Sequence, residues 1–206
     1  MKDALALRGQ VDAVVVGASA GGVEALIQLL PAFAAGFQGA VIVVLHLPRD
    51  RRSLLVDIFQ PRCALAVREA QDKESVAGGT IYFAPPDYHL LVDRGPDARP
   101  QLALSVDEAV NYSRPSIDVL FESAADVYRE RLMGIVLTGG NQDGASGLMA
   151  VQRAGGVSVV QDPETAQVSL MPASALAAVK DGPVDFVLPL PDMADLLKTM
   201  SEGEMT

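Results

Sequence analysis

Three side chains in this sequence have the types that acyl transfer to a serine requires. Ser19 lies in Gly17-Ala18-Ser19-Ala20-Gly21-Gly22, directly after the apolar run Ala13-Val14-Val15-Val16 and before an amphipathic segment that begins at Val23. The G-x-S-x-G spacing suits a nucleophile elbow, because glycines let the backbone turn sharply while a hydroxyl is held at the end of a strand. The free N–H groups of the following helix point at the same spot and favour negative charge developing there. His46, in Leu45-His46-Leu47-Pro48, follows a second apolar run, and Asp143, in Thr138-Gly139-Gly140-Asn141-Gln142-Asp143-Gly144, follows a third. In such a set the imidazole removes the serine proton, and the carboxylate fixes the ring's tautomer and supports the imidazolium.

Each member also has a plainer reading. A serine in a glycine-rich turn commonly caps a helix, His46 can be a packed residue at a strand end, and Asp143 can cap the helix after Gly144. The second histidine, His89, follows Pro85-Pro86-Asp87 and reads as structural or peripheral to the site. The one cysteine, Cys63, has no histidine near it in sequence and reads as a buried structural thiol.

The elements that must position these groups read as an α/β fold, because short β-branched runs alternate with helical patterns, the signature of a parallel sheet covered by helices. A strand at 13–16 leads to a helix from about Val23 to Ala34, where Leu26, Leu29, Leu30 and Phe33 recur at helical spacing. The run 40–45 is apolar on both faces, as a central parallel strand should be. Leu54, Leu55, Ile58 and Phe59 suggest a helix ended by Pro61. From Ala64 to about Val106 the pattern changes to the short runs Ile81-Tyr82-Phe83, His89-Leu90-Leu91-Val92 and Leu102-Ala103-Leu104. This reads as a β-hairpin-rich insertion with an antiparallel edge, its clearest turn at Asp93-Arg94-Gly95-Pro96-Asp97. Alternation then resumes with a helix after Pro115, a strand at 134–137, a helix at 145–154, a strand at 157–160, a helix at 172–179, a strand at 186–188 and a last helix from Asp192. Ligand sites of open α/β sheets lie beyond the carboxyl ends of the strands, and that rule selects Ser19, His46 and the segment 138–144 together.

With 206 residues and half of them hydrophobic, the chain reads as a single domain over 1–206, its core from about residue 12 to 197. The net charge of −10 argues against nucleic acid or an anionic membrane as partner, since either needs a basic stripe. Arg49, Arg51 and Arg52 form the one tight basic group and read as a solvated loop. The first sixteen residues lack a signal peptide's apolar core, no run reaches membrane-spanning length, and a lone cysteine fits a reducing compartment. A cytoplasmic protein with no membrane insertion is the expectation. No cofactor or metal is expected either. A dinucleotide fingerprint wants glycine where Ser19 stands, no acidic residue ends the second strand, and no Lys-Ser/Thr pair completes a phosphate loop. Asp87, Asp93, Asp97 and Asp107 are not spaced like a metal loop, and two histidines do not make a typical zinc site.

Five segments together resemble the catalytic domain of the chemotaxis protein-glutamate methylesterases, which also deamidate certain glutamines. They are Gly17-Ala18-Ser19-Ala20-Gly21-Gly22, His46-Leu47-Pro48, Tyr82-Phe83-Ala84-Pro85-Pro86-Asp87-Tyr88-His89, Arg114-Pro115-Ser116-Ile117-Asp118-Val119-Leu120-Phe121 and Leu137-Thr138-Gly139-Gly140-Asn141-Gln142-Asp143-Gly144. The resemblance runs in order from about Asp12 to Leu197. It implies a doubly wound parallel sheet and a catalytic triad of Ser19, His46 and Asp143. The implied substrate is a γ-glutamyl methyl ester on a cytoplasmic helix of a methyl-accepting chemoreceptor. The backbone N–H groups of Ala20 and Gly140 are the candidate oxyanion donors, each worth about 3 kcal/mol in the transition state. Arg114 is open between meeting a receptor carboxylate and an ordinary helix-entry role.

The sequence departs from the family pattern in three places. Ala20 stands where the family has threonine, which removes a hydroxyl. The family's glycine-methionine-glycine-asparagine-aspartate run appears as Gly139-Gly140-Asn141-Gln142-Asp143, which implies a more flexible loop. The receiver domain that many members carry has no counterpart in the dozen residues before the first strand, so constitutive activity, control by a separate receiver protein and a place in a longer arrangement are all open. Two functions follow: a serine esterase or deamidase, and a non-catalytic receptor-binding scaffold that keeps the fold.

Overall fold

Alternate side chains of the first strand enter opposite layers, as the two-residue period of a strand requires. In β1 (Ala13–Ala18), Val14 and Val16 join a core with the helix that follows, while Ala13 and Val15 join a second core on the other face. The computed structural model describes residues 4–47, 54–179 and 182–202. Pro48 and the basic group Arg49, Arg51 and Arg52 lie outside the described residues.

In chain order, β1 is followed by α1 (Gly22–Leu29), β2 (Ala40–Leu45), α2 (Leu55–Phe59), β3 (Ala66–Glu69), β4 (Thr80–Phe83), β5 (His89–Arg94) and β6 (Pro100–Ser105). Then come α3 (Ile117–Tyr128), β7 (Leu132–Val136), α4 (Ala145–Arg153), β8 (Val157–Gln161), α5 (Leu170–Ala178), β9 (Phe186–Leu188) and α6 (Leu190–Ser201). Seven strands form one sheet in the order β3-β4-β2-β1-β7-β8-β9, and its strand pairs are parallel. The chain builds outward from β1 through β2 and returns to the other side of β1 with β7, so β1 is where the winding reverses. Leu26 and Leu29 of α1, Phe59 of α2 and Met193 and Leu197 of α6 pack on one face. Ile117 and Phe121 of α3, Leu148 of α4 and Met171 of α5 pack on the other. This is the doubly wound arrangement. Each fully buried aliphatic side chain contributes about 1.5–3 kcal/mol, so the positions of the strand ends are set by the most heavily stabilised part of the molecule.

The segment from Ala64 to Val106 needs correction. Its first half is not part of a hairpin insertion: β3 and β4 add two parallel strands to the sheet, with Ile81 opposite Val41 on one side and Val67 on the other. Short strands cut by turn residues look like hairpins in sequence, although here the chain crosses over between them. Among the strands of the described residues, β5 and β6 are the pair that runs antiparallel, Leu90 with Leu104 and Val92 with Leu102. They form a separate ribbon rather than an edge of the main sheet. The ribbon is fastened to α3, where Ser123 Oγ accepts from Val92 N at 3.1 Å and Arg94 donates to the Val127 carbonyl at 3.0 Å.

Two glycines shape the turn after β1. Gly21 has φ +78 and ψ 2, the third position of a type II turn closed by Gly22 N on Ser19 O at 2.8 Å. At Gly17 a Cβ would lie 2.3 Å from Ile117 Cγ2, so only glycine lets the first residue of α3 approach the strand.

Candidate active site

The site is assembled by three neighbouring strands, β2, β1 and β7, at their carboxyl ends. Ala18 of β1 stands opposite Leu45 of β2, so Ser19 and His46 are the next pair in register, on strands about 4.8 Å apart. Backbone bonds extend this lacing past the strand ends. His46 N donates to Ala18 O at 3.0 Å, Ser19 N to Thr138 O at 3.0 Å and Leu137 N to Gly17 O at 2.9 Å. The Thr138 hydroxyl donates to Ala20 O at 2.9 Å and fixes the Ala20–Gly21 peptide plane.

Asp143 is fully buried and accepts from five donors. Oδ2 receives His46 Nε2 at 2.9 Å and Ile117 N at 2.6 Å. Oδ1 receives Ser116 Oγ at 2.8 Å, Asn111 Nδ2 at 3.0 Å and Asp118 N at 3.2 Å. Burial pushes this carboxyl toward the neutral form, but the bonds from His46, Asn111, Ile117 and Ser116 outweigh it and hold its pKa below the ordinary carboxylate value. The positive end of α3, where Ile117 and Asp118 are the first two residues, works in the same direction. Asp143 is therefore an anion, and an anion can only accept, so the His46 proton that faces it is on Nε2 and Nδ1 is the nitrogen left to serve as base. The ring is used the opposite way round from the serine-protease arrangement, where Nδ1–H faces the carboxylate.

Among the described residues, no hydrogen bond joins Ser19 Oγ to His46; the hydroxyl within reach of Nδ1 is that of Ser113, at 3.5 Å. Ser113 is braced in turn by Asn141 Nδ2 at 3.4 Å, and Asn141 Oδ1 accepts from Asp143 N at 3.2 Å. The structure thus brings His46 and Asp143 into direct contact and sets Ser19 beside them through the backbone. Catalytic hydrogen bonds of substrate-free enzymes are often long and tighten only in the complex. A cavity of about 90 Å³ opens against His46, Leu47, Tyr112, Ser113, Arg114 and Pro115. A larger groove of about 620 Å³ lies between α4 and α5 and reaches the site at Asn111, Asp118 and Gln142.

The two candidate oxyanion residues are both exposed, and among the described residues neither Ala20 N nor Gly140 N donates a hydrogen bond. A Cβ at Gly140 would meet only Val168 Cγ1 at 3.9 Å, so packing does not require glycine there. Arg114 is an internal brace: Nε and Nη2 donate to Asp87 Oδ1 at 3.1 and 2.8 Å, and Nη1 to the carbonyls of Val106 and Asp107 at 2.7 and 3.0 Å. Cys63 is half-buried, and burial, opposed by Arg62, pushes its thiol up to about 11, which leaves it a poor nucleophile. Among the described residues no three His, Cys, Asp or Glu side chains converge as a metal site would, and no helix is long and apolar enough to cross a membrane.

Sequence reasoning missed most of the groups around Asp143. Asn111, Ser113 and Asn141 carry no spacing signal. Ser116 and Asp118 had one: a serine after Pro115 and an acid two residues on mark a helix start, and the side chain of Ser116 does accept from Val119 N at 3.5 Å.

Comparison with known proteins finds relatives over most of the chain. Residues 14–197 match the model of the CheB methylesterase family. A putative protein-glutamate methylesterase/protein-glutamine glutaminase of Leptospira interrogans is 40% identical over 194 residues, 94% of this chain and 97% of that protein. A protein-glutamate methylesterase/protein-glutamine glutaminase of Caulobacter vibrioides is 37% identical over 182 residues, 88% of this chain but 52% of its relative, so the chain spans about half of such longer proteins. The crystal structure of the Thermotoga maritima CheB methylesterase catalytic domain superposes with a TM-score of 0.85 at 31% identity, covering 91% of this chain and 97% of that one. The chain belongs to the CheB methylesterase family.

Proposed function

We propose that this chain is a single catalytic domain that hydrolyses glutamate methyl esters on the cytoplasmic helices of methyl-accepting chemoreceptors, and deamidates receptor glutamines by the same route. The observation that carries the reading is the fully buried Asp143 anion bonded to His46 beside Ser19, at the ends of three adjacent strands. Ser19 Oγ attacks the ester carbonyl while its proton passes to His46 Nδ1. Negative charge on the former carbonyl oxygen falls to the N–H groups of Ala20 and Gly140. As the tetrahedral intermediate collapses, the imidazolium returns the proton to the departing methoxide, which leaves as methanol. Water, deprotonated by the same ring, then cleaves the acyl-enzyme to glutamate and free Ser19. Asp143 keeps the ring's proton on Nε2 and supports the imidazolium without taking a proton itself.

The small cavity of about 90 Å³ lies on the Ser113 side of His46 and is lined by neither Ser19 nor Gly140. The family and its named relatives supply the substrate class. The test is methanol release from methyl-labelled receptor. Release by the wild type with loss to background in Ser19→Ala is expected, and no release above that control would favour a receptor-binding scaffold.

A further inference from the structure

His89 is the histidine the mechanism leaves unused, yet it is 2% exposed and both ring nitrogens are engaged. Nδ1 accepts the backbone N–H of Ser116 at 3.1 Å, and Nε2 lies 3.0 Å from the carbonyl oxygen of Glu108. A backbone N–H only donates and a carbonyl only accepts, so the ring is neutral and its proton is on Nε2. Both bonds lead toward Asp143. Ser116, held through its N–H, gives its own hydroxyl to Asp143 Oδ1 at 2.8 Å. Glu108 precedes the turn whose Asn111 amide reaches the same oxygen at 3.0 Å and whose Ser113 hydroxyl lies 3.5 Å from His46 Nδ1. One ring at the start of the ribbon therefore ties together the two segments that hold the carboxylate.

We propose that His89 is a positioning residue for the Ser19, His46 and Asp143 machinery, acting through Nδ1 on Ser116 and so on Asp143. The proposal rests on the triad reading above. A ring that only filled space would be indifferent to which of its nitrogens a substitute reproduces, whereas a positioning role depends on it. In His89→Asn an amide oxygen can stand where Nδ1 stands and still accept from Ser116. In His89→Gln an amide nitrogen can stand where Nε2 stands and still donate to Glu108, but nothing accepts from Ser116. Ser116 is then free to shift, and a displacement of about 1 Å at reacting groups can cost on the order of 10²-fold.

The experiment measures kcat and KM for methanol release from methyl-labelled receptor in wild type and both variants, together with Tm. His89→Gln is expected to lose about tenfold or more in kcat with KM within about twofold, and His89→Asn to keep kcat within about threefold of wild type. Equal kcat in the two variants, or losses that simply follow Tm, would overturn the positioning role. Should either variant fail to fold, a long-range proton–nitrogen spectrum of the wild type decides, since the chain has only two histidines and His46→Ala assigns them. A proton on Nε2 of His89 is expected, and one on Nδ1 contradicts the proposal. A wild type without turnover sinks the triad reading and the positioning role with it; an active wild type with indistinguishable variants sinks the positioning role alone.

Discussion

At the scale of single residues, the burial of Asp143 decides how His46 can work. An uncompensated buried carboxylate would take up a proton, and this one is kept charged by five donors, one of them the ring it orients. Asp143→Asn should leave the fold intact while its amide disfavours the Nε2 proton of His46. The same wrong-tautomer effect is worth on the order of 10⁴ in a serine protease, so turnover within about tenfold of wild type would contradict the assignment. The lowered pKa also fixes a sign for stability. A folded value below the unfolded one, about 3.9, means the contribution of Asp143 is complete above that pH and is lost as pH falls through the folded value. The Tm gap between wild type and Asp143→Asn should therefore be flat near neutrality and shrink in acid; a gap unchanged at low pH would refute the linkage. For His46→Ala a loss of ~10²–10⁴ in turnover is expected with Tm little changed, and activity within about tenfold would remove the ring from the mechanism. The placement of Ser19, His46 and Asp143 at one rim was legible because Ser19 and His46 directly follow apolar strands and Asp143 follows a third strand after the loop 138–142. The partners of Asp143 were not, because Asn111 and Ser116 reach it through folding alone.

At the scale of elements, α3 and α4 exchange carboxylates. Asp143, just before α4, accepts from the first two N–H groups of α3, while Asp118 of α3 accepts from Gly144 N at 2.9 Å and Gly147 N at 2.7 Å at the start of α4. Asn111 bridges the pair by donating to both, at 2.8 Å to Asp118 and 3.0 Å to Asp143. Burial, helped by the charge of Asp143, pushes the Asp118 carboxyl up despite its bonds to Gly147, Asn111 and Gly144. Asp118→Ala would leave two buried N–H groups without a partner and should cost about 1–3 kcal/mol, read as a fall in Tm, along with part of the activity. An unchanged Tm would mean the exchange holds nothing. Gly17→Ala tests the same joint from the strand side, since its Cβ would drive Ile117 off the turn and shift the N–H that holds Asp143. A loss of about 1–3 kcal/mol is expected, and it should shrink in an Ile117→Ala background, which removes Cγ1, Cγ2 and Cδ1; an undiminished loss there would place the clash elsewhere. The long helices and central strands could be read from periodicity. The parallel pairing of β3 and β4 could not, because four residues between turn signals carry too little pattern to tell a parallel crossover from a hairpin.

At the scale of the whole molecule, the reversal of winding at β1 opens the crevice and delivers Ser19, His46 and Asp143 from neighbouring strand ends. The α/β pattern made that rim readable in advance, whereas the ribbon's role as an outer clamp on α3 depends on contacts between distant segments. Rigidity should be graded accordingly. The N–H groups of His46 and Leu137, bonded to Ala18 O and Gly17 O inside the lacing, should exchange only on global unfolding, and those of the turn closed by Val110 and Ser113 far sooner. The central claim, that Ser19 is the hydroxyl His46 activates, faces a direct competitor in Ser113, whose Oγ lies 3.5 Å from Nδ1. Peptide mapping of the covalent adduct formed with a serine-directed fluorophosphonate decides between them. The label is expected on Ser19 and should be lost in His46→Ala, whereas a label on Ser113, or one on Ser19 indifferent to His46, would contradict the account.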